Sequence, residues 1–325
     1  NSTGKMGLGV LRFSPNPVVC MVDSSSEGGD SIALTGIEKR VPIVATVGES
    51  IAIGAEVLLL GIAPPGGLIP QDWYPVLDEA VTKGLSLING LHDLLAPRYP
   101  HLKPGQWVWD VRVEPPGLGV GYAEVRHLTN KRVLFVGTDM SVGKMTAGLV
   151  MWQEAQKRGI RAEFVATGQT GIVIMGRGVP LDCIRLDFAT GAIEREILAC
   201  KEAEIVFIEG QGSLIHPGSS ANLPLLRGAQ PTHLVMCHRA GMTHLPRLPW
   251  IQVPPLNDIV ALYQDLAEAC GTFQRPKIAG ICLNTGHLNN DDEARHAIDQ
   301  TIADTGLPCT DPVRFGGGAV MDAIV

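Results

Sequence analysis

The feature that most constrains this chain is a glycine-rich segment, GTDMSVGKMT, at residues 137–146. It follows the apolar run Val133–Val136 and precedes a stretch with helical patterning, so the sequence predicts a strand, a loop and a helix in succession. In that arrangement the backbone N–H groups of the loop surround an anion, and the N-terminus of the helix adds partial positive charge. We therefore predict a phosphate-binding loop, against the alternative of an ordinary glycine turn before a helix.

The loop departs from the usual phosphate-binding pattern at two positions. Five residues, instead of four, separate Gly137 from Gly143, and Met145 follows the lysine where Ser or Thr is usual. Lys144 is expected to reach the terminal phosphates, and the Thr146 hydroxyl is a candidate for a Mg²⁺ contact. The residues expected to surround the phosphates of a cofactor are Gly137, Thr138, Asp139, Ser141, Val142, Gly143, Lys144, Met145 and Thr146.

Two other apolar runs end in polar residues that suit a nucleotide site. Ile205–Ile208 ends at Glu209, and an acid at the tip of a neighbouring strand can orient Mg²⁺ or its water shell. The alternative is a solvent-facing glutamate at a strand end. Ile278–Leu283 ends at Asn284, whose side chain would bond a base edge or merely form a turn.

The chain divides near residue 130, and the second part, residues 131–325, repeats the order strand, loop, helix. Its predicted strands are Val133–Val136, Arg161–Ala166, Ile205–Ile208, His233–Met236 and Ile278–Leu283. Its predicted helices are Lys144–Lys157, Ala192–Ala203, Leu256–Ala269 and Asp291–Asp304. This pattern predicts an α/β fold with a doubly wound P-loop NTPase-like domain.

The first part, residues 1–130, predicts a small Rossmann-like α/β domain. Its short apolar runs, expected as strands of one parallel sheet, are Val18–Val22, Glu56–Ile62 and Leu85–Ile88, with a helix at Gln71–Lys83. No G-x-G-x-x-G pattern is present, so no nicotinamide site is predicted. The loops 63–67 and 89–92 are candidates for lining a cleft, unless their Pro and Gly only mark strand exits. The Pro- and Gly-rich segment 103–121 is expected to connect the domains and to contain a strand with Trp107 and Trp109 on one face.

Further polar side chains follow predicted strands. Gln169 is expected near the cofactor, and His216 and His238 are candidate general bases near neutral pH. Arg239 could pair with a substrate carboxylate through two N–H groups. The alternative for each histidine is a hydrogen-bonded structural role.

Composition limits the class of protein. Hydrophobic residues make up 45% and charged residues 18%, which excludes a disordered chain, and a net charge of −7 argues against a general nucleic-acid binder. We find no apolar run long enough to span a bilayer and no signal-peptide pattern, so we expect a cytoplasmic protein without a membrane partner. We also expect a homo-oligomer. The histidine and cysteine spacings contain no zinc motif, and no G-x-S-x-G elbow supports a serine hydrolase.

The motifs carry a family resemblance. GTDMSVGKMT with IEGQGS is similar to the loop and acidic strand of dethiobiotin synthetase, which phosphorylates a carboxylated intermediate. The longer segments FVATGQTGI, DFATGAIE, IEGQGSLIHPGSS and QPTHLVMCHRAG, with LLLGIAPPGGLIP and LINGLHDLL before them, resemble one bacterial and archaeal family over nearly the whole chain. That family was catalogued as a domain of unknown function, and it contains D-glutamate N-acetyltransferase.

Three functions are consistent with these observations. The family resemblance implies transfer of an acetyl group from acetyl-CoA to an acidic amino acid such as D-glutamate, with His216 or His238 as the base and Arg239 on a carboxylate. We favour this function on the resemblance, and the alternative suggested by the loop chemistry alone is an ATP- and Mg²⁺-dependent kinase or a ligase acting on an amino acid or another carboxylate. A nucleotide-binding regulatory protein is the third reading. The three functions differ in which phosphate ligand binds and in whether the reaction consumes it.

Overall fold

The computed structural model describes residues 4–64 and 66–325, so Pro65 of the loop 63–67 lies outside the described residues. The helices in chain order are α1 (Lys5–Phe13), α2 (Ser31–Thr35), α3 (Val47–Ala52), α4 (Tyr74–Lys83), α5 (Lys144–Lys157), α6 (Gln169–Met175), α7 (Leu186–Leu198), α8 (Asn222–Ala229), α9 (Leu256–Glu268), α10 (Asp291–Thr305) and α11 (Gly318–Asp322).

The strands are β1 (Met21–Val22), β2 (Ile43–Val44), β3 (Val57–Leu59), β4 (Ser86–Asn89), β5 (Val108–Asp110), β6 (Lys131–Gly137), β7 (Ala162–Val165), β8 (Ile205–Ile208), β9 (His233–Arg239), β10 (His244–Leu245), β11 (Leu248–Gln252), β12 (Lys277–Asn284) and β13 (Cys309–Thr310). Short 3₁₀ turns include Leu181–Cys183.

The chain folds into two compact units. The first comprises the described residues up to Glu114 together with Gln169–Cys183, and the second comprises Pro115–Gly168 and Ile184–Val325. The domain division near residue 130 stays a prediction, whereas the compact units separate at residue 114. The segment 169–183 leaves the second unit after β7 and returns to it at α7.

The second unit is built on a six-stranded sheet with the order β13-β12-β9-β6-β8-β7, and every neighbouring pair is parallel. Its central strands are continuously buried, as expected of a parallel sheet covered on both faces. Helix α5 approaches the sheet closely at Gly148, where an added Cβ would lie 2.7 Å from the Phe164 ring. The predicted doubly wound P-loop fold is confirmed.

The strand order places the phosphate-binding loop. From β6 the chain first forms β7 and β8, which both lie on one side of β6 in the strand order. It then passes β6 and forms β9, which lies on the other side of β6. Ligands of open α/β sheets bind beyond the carboxyl ends of the strands where the order reverses. The loop after β6 lies at that reversal.

The first unit contains a three-stranded parallel sheet with the order β3-β4-β5, and its core includes Leu77, Ala80, Leu87 and Leu95. The expectation that residues 18–22 form a strand of this sheet is wrong. Only Met21–Val22 is a strand, and it pairs with β2 in a separate two-stranded sheet. Val22 is exposed, so this run lacks the two covered faces of a central strand.

Two other expectations need correction. Strand β5 lies within the predicted connection 103–121, yet it is the third strand of the first unit's sheet, paired with β4. Helix α7 begins at Leu186, not at Ala192 as predicted, and Asp187 lies in its first turn. An acid in the first turn interacts favourably with the helix dipole.

Candidate functional site: a phosphate-binding loop in the second unit

The loop after β6 has the backbone of an anion cradle. Ser141 and Gly143 have φ angles of 62° and 110°, in the left-handed region, so the chain turns sharply before α5 begins at Lys144. Among the described residues no side chain caps the start of α5. The first N–H groups of this 14-residue helix are therefore available to a phosphate.

Lys144 folds back along the loop. Its side chain is 6% exposed, and Nζ donates a hydrogen bond of 2.8 Å to the Asp139 carbonyl oxygen. Burial lowers the pKa of Lys144 to about 8, against the opposing effects of Cys237, Asp139 and Glu209. A Cβ on Gly137 would lie 3.1 Å from Nζ, so this glycine makes room for the ammonium. The loop therefore holds a desolvated cation that an anionic ligand would stabilise.

Glu209, at the end of β8, is buried and not solvent-facing. Its carboxylate accepts hydrogen bonds from the backbone N–H groups of Thr167 at 2.9 Å and Gly168 at 3.1 Å. Burial raises the pKa of Glu209 to about 7, although these two bonds, Lys144 and Gln211 act in the opposite direction. The alternative of a solvent-facing glutamate at a strand end is thereby excluded, and a role in Mg²⁺ binding stays a prediction.

Tight packing fixes the position of this carboxylate. An added Cβ on Gly210, the next residue, would lie 1.6 Å from the Phe135 carbonyl oxygen, so glycine is required there. The Thr167 hydroxyl donates to the Glu209 carbonyl at 2.8 Å and accepts from Gln211 Nε2 at 3.1 Å. The ends of β7 and β8 are therefore joined by side chains beside the loop.

His238, near the end of β9, contacts the loop directly. It is 8% exposed, and its Nδ1 lies 2.9 Å from the Thr138 hydroxyl. Burial lowers the pKa of His238 to about 4, so the imidazole is neutral near pH 7. Arg239, the last residue of β9, is exposed and pairs in register with Asn284 of β12.

The other predicted site residues of the second unit do not share one environment. Asn284 Nδ2 lies 3.5 Å from the Val142 carbonyl oxygen, at the edge of the loop. Met145 and Thr146 lie half-buried in the first turn of α5. The Nδ1 atom of His216 accepts a hydrogen bond of 3.0 Å from Gly218 N, within a local turn.

Gln169 belongs to the first unit. It begins α6, and its Cγ would lie 3.2 Å from a Cβ added to Gly90. The phosphate-binding loop belongs to the second unit, so the role of Gln169 in cofactor binding stays a prediction.

Sequence reasoning missed Tyr263, a fully buried residue of α9. Its hydroxyl lies 3.1 Å from both the Gly137 carbonyl oxygen and Asn222 Oδ1, and it accepts from Leu214 N at 3.1 Å. One hydroxyl proton serves one of the two acceptors at a time. No motif indicated this role, because Tyr263 sits in an ordinary amphipathic helix.

In the part of the chain that the structure describes, one group of side chains has the composition of a metal site. His92, Asp182 and Cys183 of the first unit have ligand atoms within 4.8 Å of one another. No zinc-binding spacing relates them in the sequence, because 89 residues separate the first two. Arg112 Nη2, however, lies 3.3 Å from Asp182 Oδ2 and so already supplies a cation to this carboxylate.

Over the described ranges, no helix is long and apolar enough to span a membrane.

The chain matches two family models. They are described as "Domain of unknown function (DUF1611_C) P-loop domain", over residues 119–321, and "Domain of unknown function (DUF1611_N) Rossmann-like domain", over residues 24–114. A crystal structure of a DUF1611 family protein from Anabaena variabilis has a TM-score of 0.96 at 47% identity, covering 100% of this chain and 95% of that one.

Two curated relatives extend the match. The chain is 38% identical over 326 residues to a protein of Tritonibacter scottomollicae named D-glutamate N-acetyltransferase, with 98% of this chain and 93% of the relative covered. It is 35% identical over 285 residues to a Pseudoalteromonas protein of the same name, with 85% and 82% covered. The chain therefore belongs to the DUF1611 family, which combines a Rossmann-like domain with a P-loop domain.

Proposed function

We propose that this protein transfers the acetyl group of acetyl-CoA to the amino group of an acidic amino acid such as D-glutamate. The observation that carries the proposal is the 38% identity, over 98% of the chain, to a protein named D-glutamate N-acetyltransferase. The phosphate-binding loop is consistent with it, since coenzyme A carries phosphates and a P-loop recognises phosphate groups whatever reaction follows.

In this function the loop binds the coenzyme and does not activate the acetyl group. The N–H groups before α5 and the Lys144 ammonium hold phosphates of the coenzyme, and the thioester supplies the electrophile. A cavity of 610 Å³ in the second unit adjoins His238, and α9 and α10 contribute to its wall. It is large enough to receive a non-phosphate part of the coenzyme.

The amine of the substrate must lose a proton before it attacks the thioester. Neutral His238 can accept a proton at Nε2 when its Nδ1–H donates to the Thr138 hydroxyl, but with a pKa of about 4 it is a weak base. His216 is the second candidate, and proton uptake at its Nδ1 requires the bond from Gly218 N to open. Arg239, exposed at the end of β9, remains the candidate for pairing with a substrate carboxylate.

The juxtaposition of Lys144 and Glu209 favours a second candidate function. A lysine and an acid beside one phosphate-binding loop also suit an ATP- and Mg²⁺-dependent kinase or ligase, in which they would stabilise charge on a transferred phosphoryl group. Under acetyl transfer no metal is required, and Glu209 then serves to fix the ends of β7 and β8 through Thr167 and Gly168.

Thiol release decides between the two reactions. The protein is incubated with acetyl-CoA and a panel of D- and L-amino acids, with and without ATP and Mg²⁺. We expect free thiol with at least one acidic amino acid, independent of ATP. Thiol release should be lost in Lys144→Ala and kept in Lys157→Ala, an exposed lysine of the same helix. ADP and phosphate without thiol would establish the kinase or ligase reaction, and tight nucleotide binding without turnover would establish a regulatory protein.

A further inference from the structure

A second polar cluster lies in the first unit, at the carboxyl ends of its parallel strands. Gly67 is in the connection after β3, His92 follows the end of β4 by three residues, and Arg112 follows the end of β5 by two. Asp182, from the turn Leu181–Cys183, belongs to the same unit. Ligands of open α/β sheets bind at this edge, so the position of the cluster indicates a ligand site.

The centre of the cluster is a largely desolvated guanidinium. The Arg112 side chain is 11% exposed, and its Nη2 lies 3.3 Å from Asp182 Oδ2, while its Nη1 contacts His92 Nε2. Its Nε is buried and has no hydrogen-bond partner among the described residues. A guanidinium stays protonated, so this cation is incompletely satisfied by the protein alone.

The loops around the guanidinium are held in place. His92 N donates to the Gly67 carbonyl oxygen at 2.8 Å. Gly67 has φ of +68°, and an added Cβ there would lie 2.7 Å from His92 Cδ2 and 3.3 Å from Arg112 Nη1. Asn89 Nδ2 donates to Asp110 Oδ1 at 2.8 Å, which joins the ends of β4 and β5. The cluster is therefore preorganised by its backbone.

We propose that Arg112 and Asp182 bind the carboxylate and ammonium groups of a free α-amino acid, with His92 alongside. This inference rests on the proposed function, and it replaces Arg239, the candidate named above, with Arg112 as the partner of the substrate carboxylate. An α-amino acid carries opposite charges a few ångströms apart, as do Arg112 and Asp182. In the free protein the two side chains neutralise each other, and the ligand exchanges one ion pair for two.

The same geometry disfavours a metal ion and a dicarboxylate as ligands of the cluster. A metal ion bound by His92, Asp182 and Cys183 would lie beside the permanent charge of Arg112, which also contacts His92 Nε2. A dicarboxylate without an ammonium would meet the Asp182 carboxylate, whose side chain is 45% exposed and so faces an incoming ligand. Only a ligand with both charges is complementary to the cluster.

Titration calorimetry on the full chain tests the subsite directly, with D-glutamate, L-glutamate and glutarate as ligands. We expect glutamate to bind more tightly than glutarate, which lacks the ammonium. Asp182→Asn should weaken glutamate binding by about tenfold or more and leave glutarate unchanged or tighter, while Arg112→Lys should weaken both. Arg98→Lys is the matched control, because Arg98 forms an ion pair of 2.7 Å with Asp78 in the same unit.

Other outcomes would overturn the subsite. If glutamate binds equally to Asp182→Asn, Arg112→Lys and the unaltered protein, the assignment is wrong. If zinc chloride binds instead and Cys183→Ser abolishes that binding, the cluster is a metal site. Melting temperatures of the variants distinguish a lost ligand contact from a lost fold.

Activity measurements separate this inference from the proposed function. Acetylation with an unchanged KM for glutamate in Asp182→Asn would leave the function intact and refute the subsite. Glutamate binding that depends on Asp182, in a protein that releases no thiol with any amino acid, would leave the subsite intact and refute the function.

Discussion

Replacement of Lys144 by methionine should remove phosphate binding and at the same time stabilise the free protein. Methionine retains the apolar stem and deletes the charge. In the free protein the Lys144 ammonium is almost fully desolvated, and its pKa falls from 10.5 to about 8. A lowered lysine pKa means that burial of the charged form opposes folding.

The pH dependence follows from the sign of this shift. Below pH 8 both the folded and the unfolded chain carry the proton, and the cost is fully present; above pH 10.5 both have lost it. Over 2.5 pKa units the cost is on the order of 3 kcal/mol. The unfolding free energy of Lys144→Met should therefore exceed that of the unaltered protein at pH 7, and the difference should shrink between pH 8 and pH 10.5.

The loss of ligand affinity has its own magnitude. A charge-assisted hydrogen bond from Nζ to a phosphate oxygen is worth about 2 to 3 kcal/mol, which corresponds to roughly 30- to 150-fold in Kd. Urea unfolding at several pH values gives the stability, and calorimetric titration with acetyl-CoA and with ATP–Mg²⁺ gives the affinity.

Lys157→Met serves as the control, since Lys157 is exposed at the last turn of α5. Two results would refute the reasoning. One is a Lys144→Met variant that is less stable at pH 7 with no dependence on pH. The other is unchanged affinity for both phosphate ligands, which would remove the basis for a phosphate-binding loop.

The phosphate-binding loop could be read from the sequence because its chemistry is local. Glycine conformations, a helix N-terminus and a lysine within ten consecutive residues define the loop, and the predicted helix Lys144–Lys157 agrees with α5 at both ends. The strand Ile205–Ile208 is likewise reproduced, because a short apolar run bounded by turn residues has few alternatives in an α/β protein.

What could not be predicted depends on contacts between distant segments. Nothing near Glu209 in sequence indicates that Thr167 and Gly168 bind its carboxylate, and only the neighbouring positions of β7 and β8 bring them together. The assignment of residues 169–183 to the first unit has the same origin. Asp182 and His92 are therefore adjacent in space although no spacing rule relates them.

Three further predictions concern Glu209 and Gly210, the two residues that follow β8. Gly210→Ala should destabilise the protein by about 3 kcal/mol or more, because its Cβ would overlap the Phe135 carbonyl; Gly119→Ala, with no atom within 4 Å of the added Cβ, should be near neutral in urea unfolding. Glu209→Gln should weaken Mg²⁺-dependent ligand binding far more than metal-free binding if Glu209 orients the ion, since it keeps the shape and removes the charge. The stability of the Glu209→Gln variant is informative without any ligand. The pKa of Glu209 is raised from 4.5 to about 7, so the protonated carboxyl group favours folding more than the carboxylate does. The unaltered protein should therefore lose stability relative to Glu209→Gln as pH rises from 4.5 to 7. A stability difference that is constant over this interval would mean that Glu209 ionises in the folded protein as it does in water, and the buried, amide-bound carboxylate would then be the wrong description of the free site.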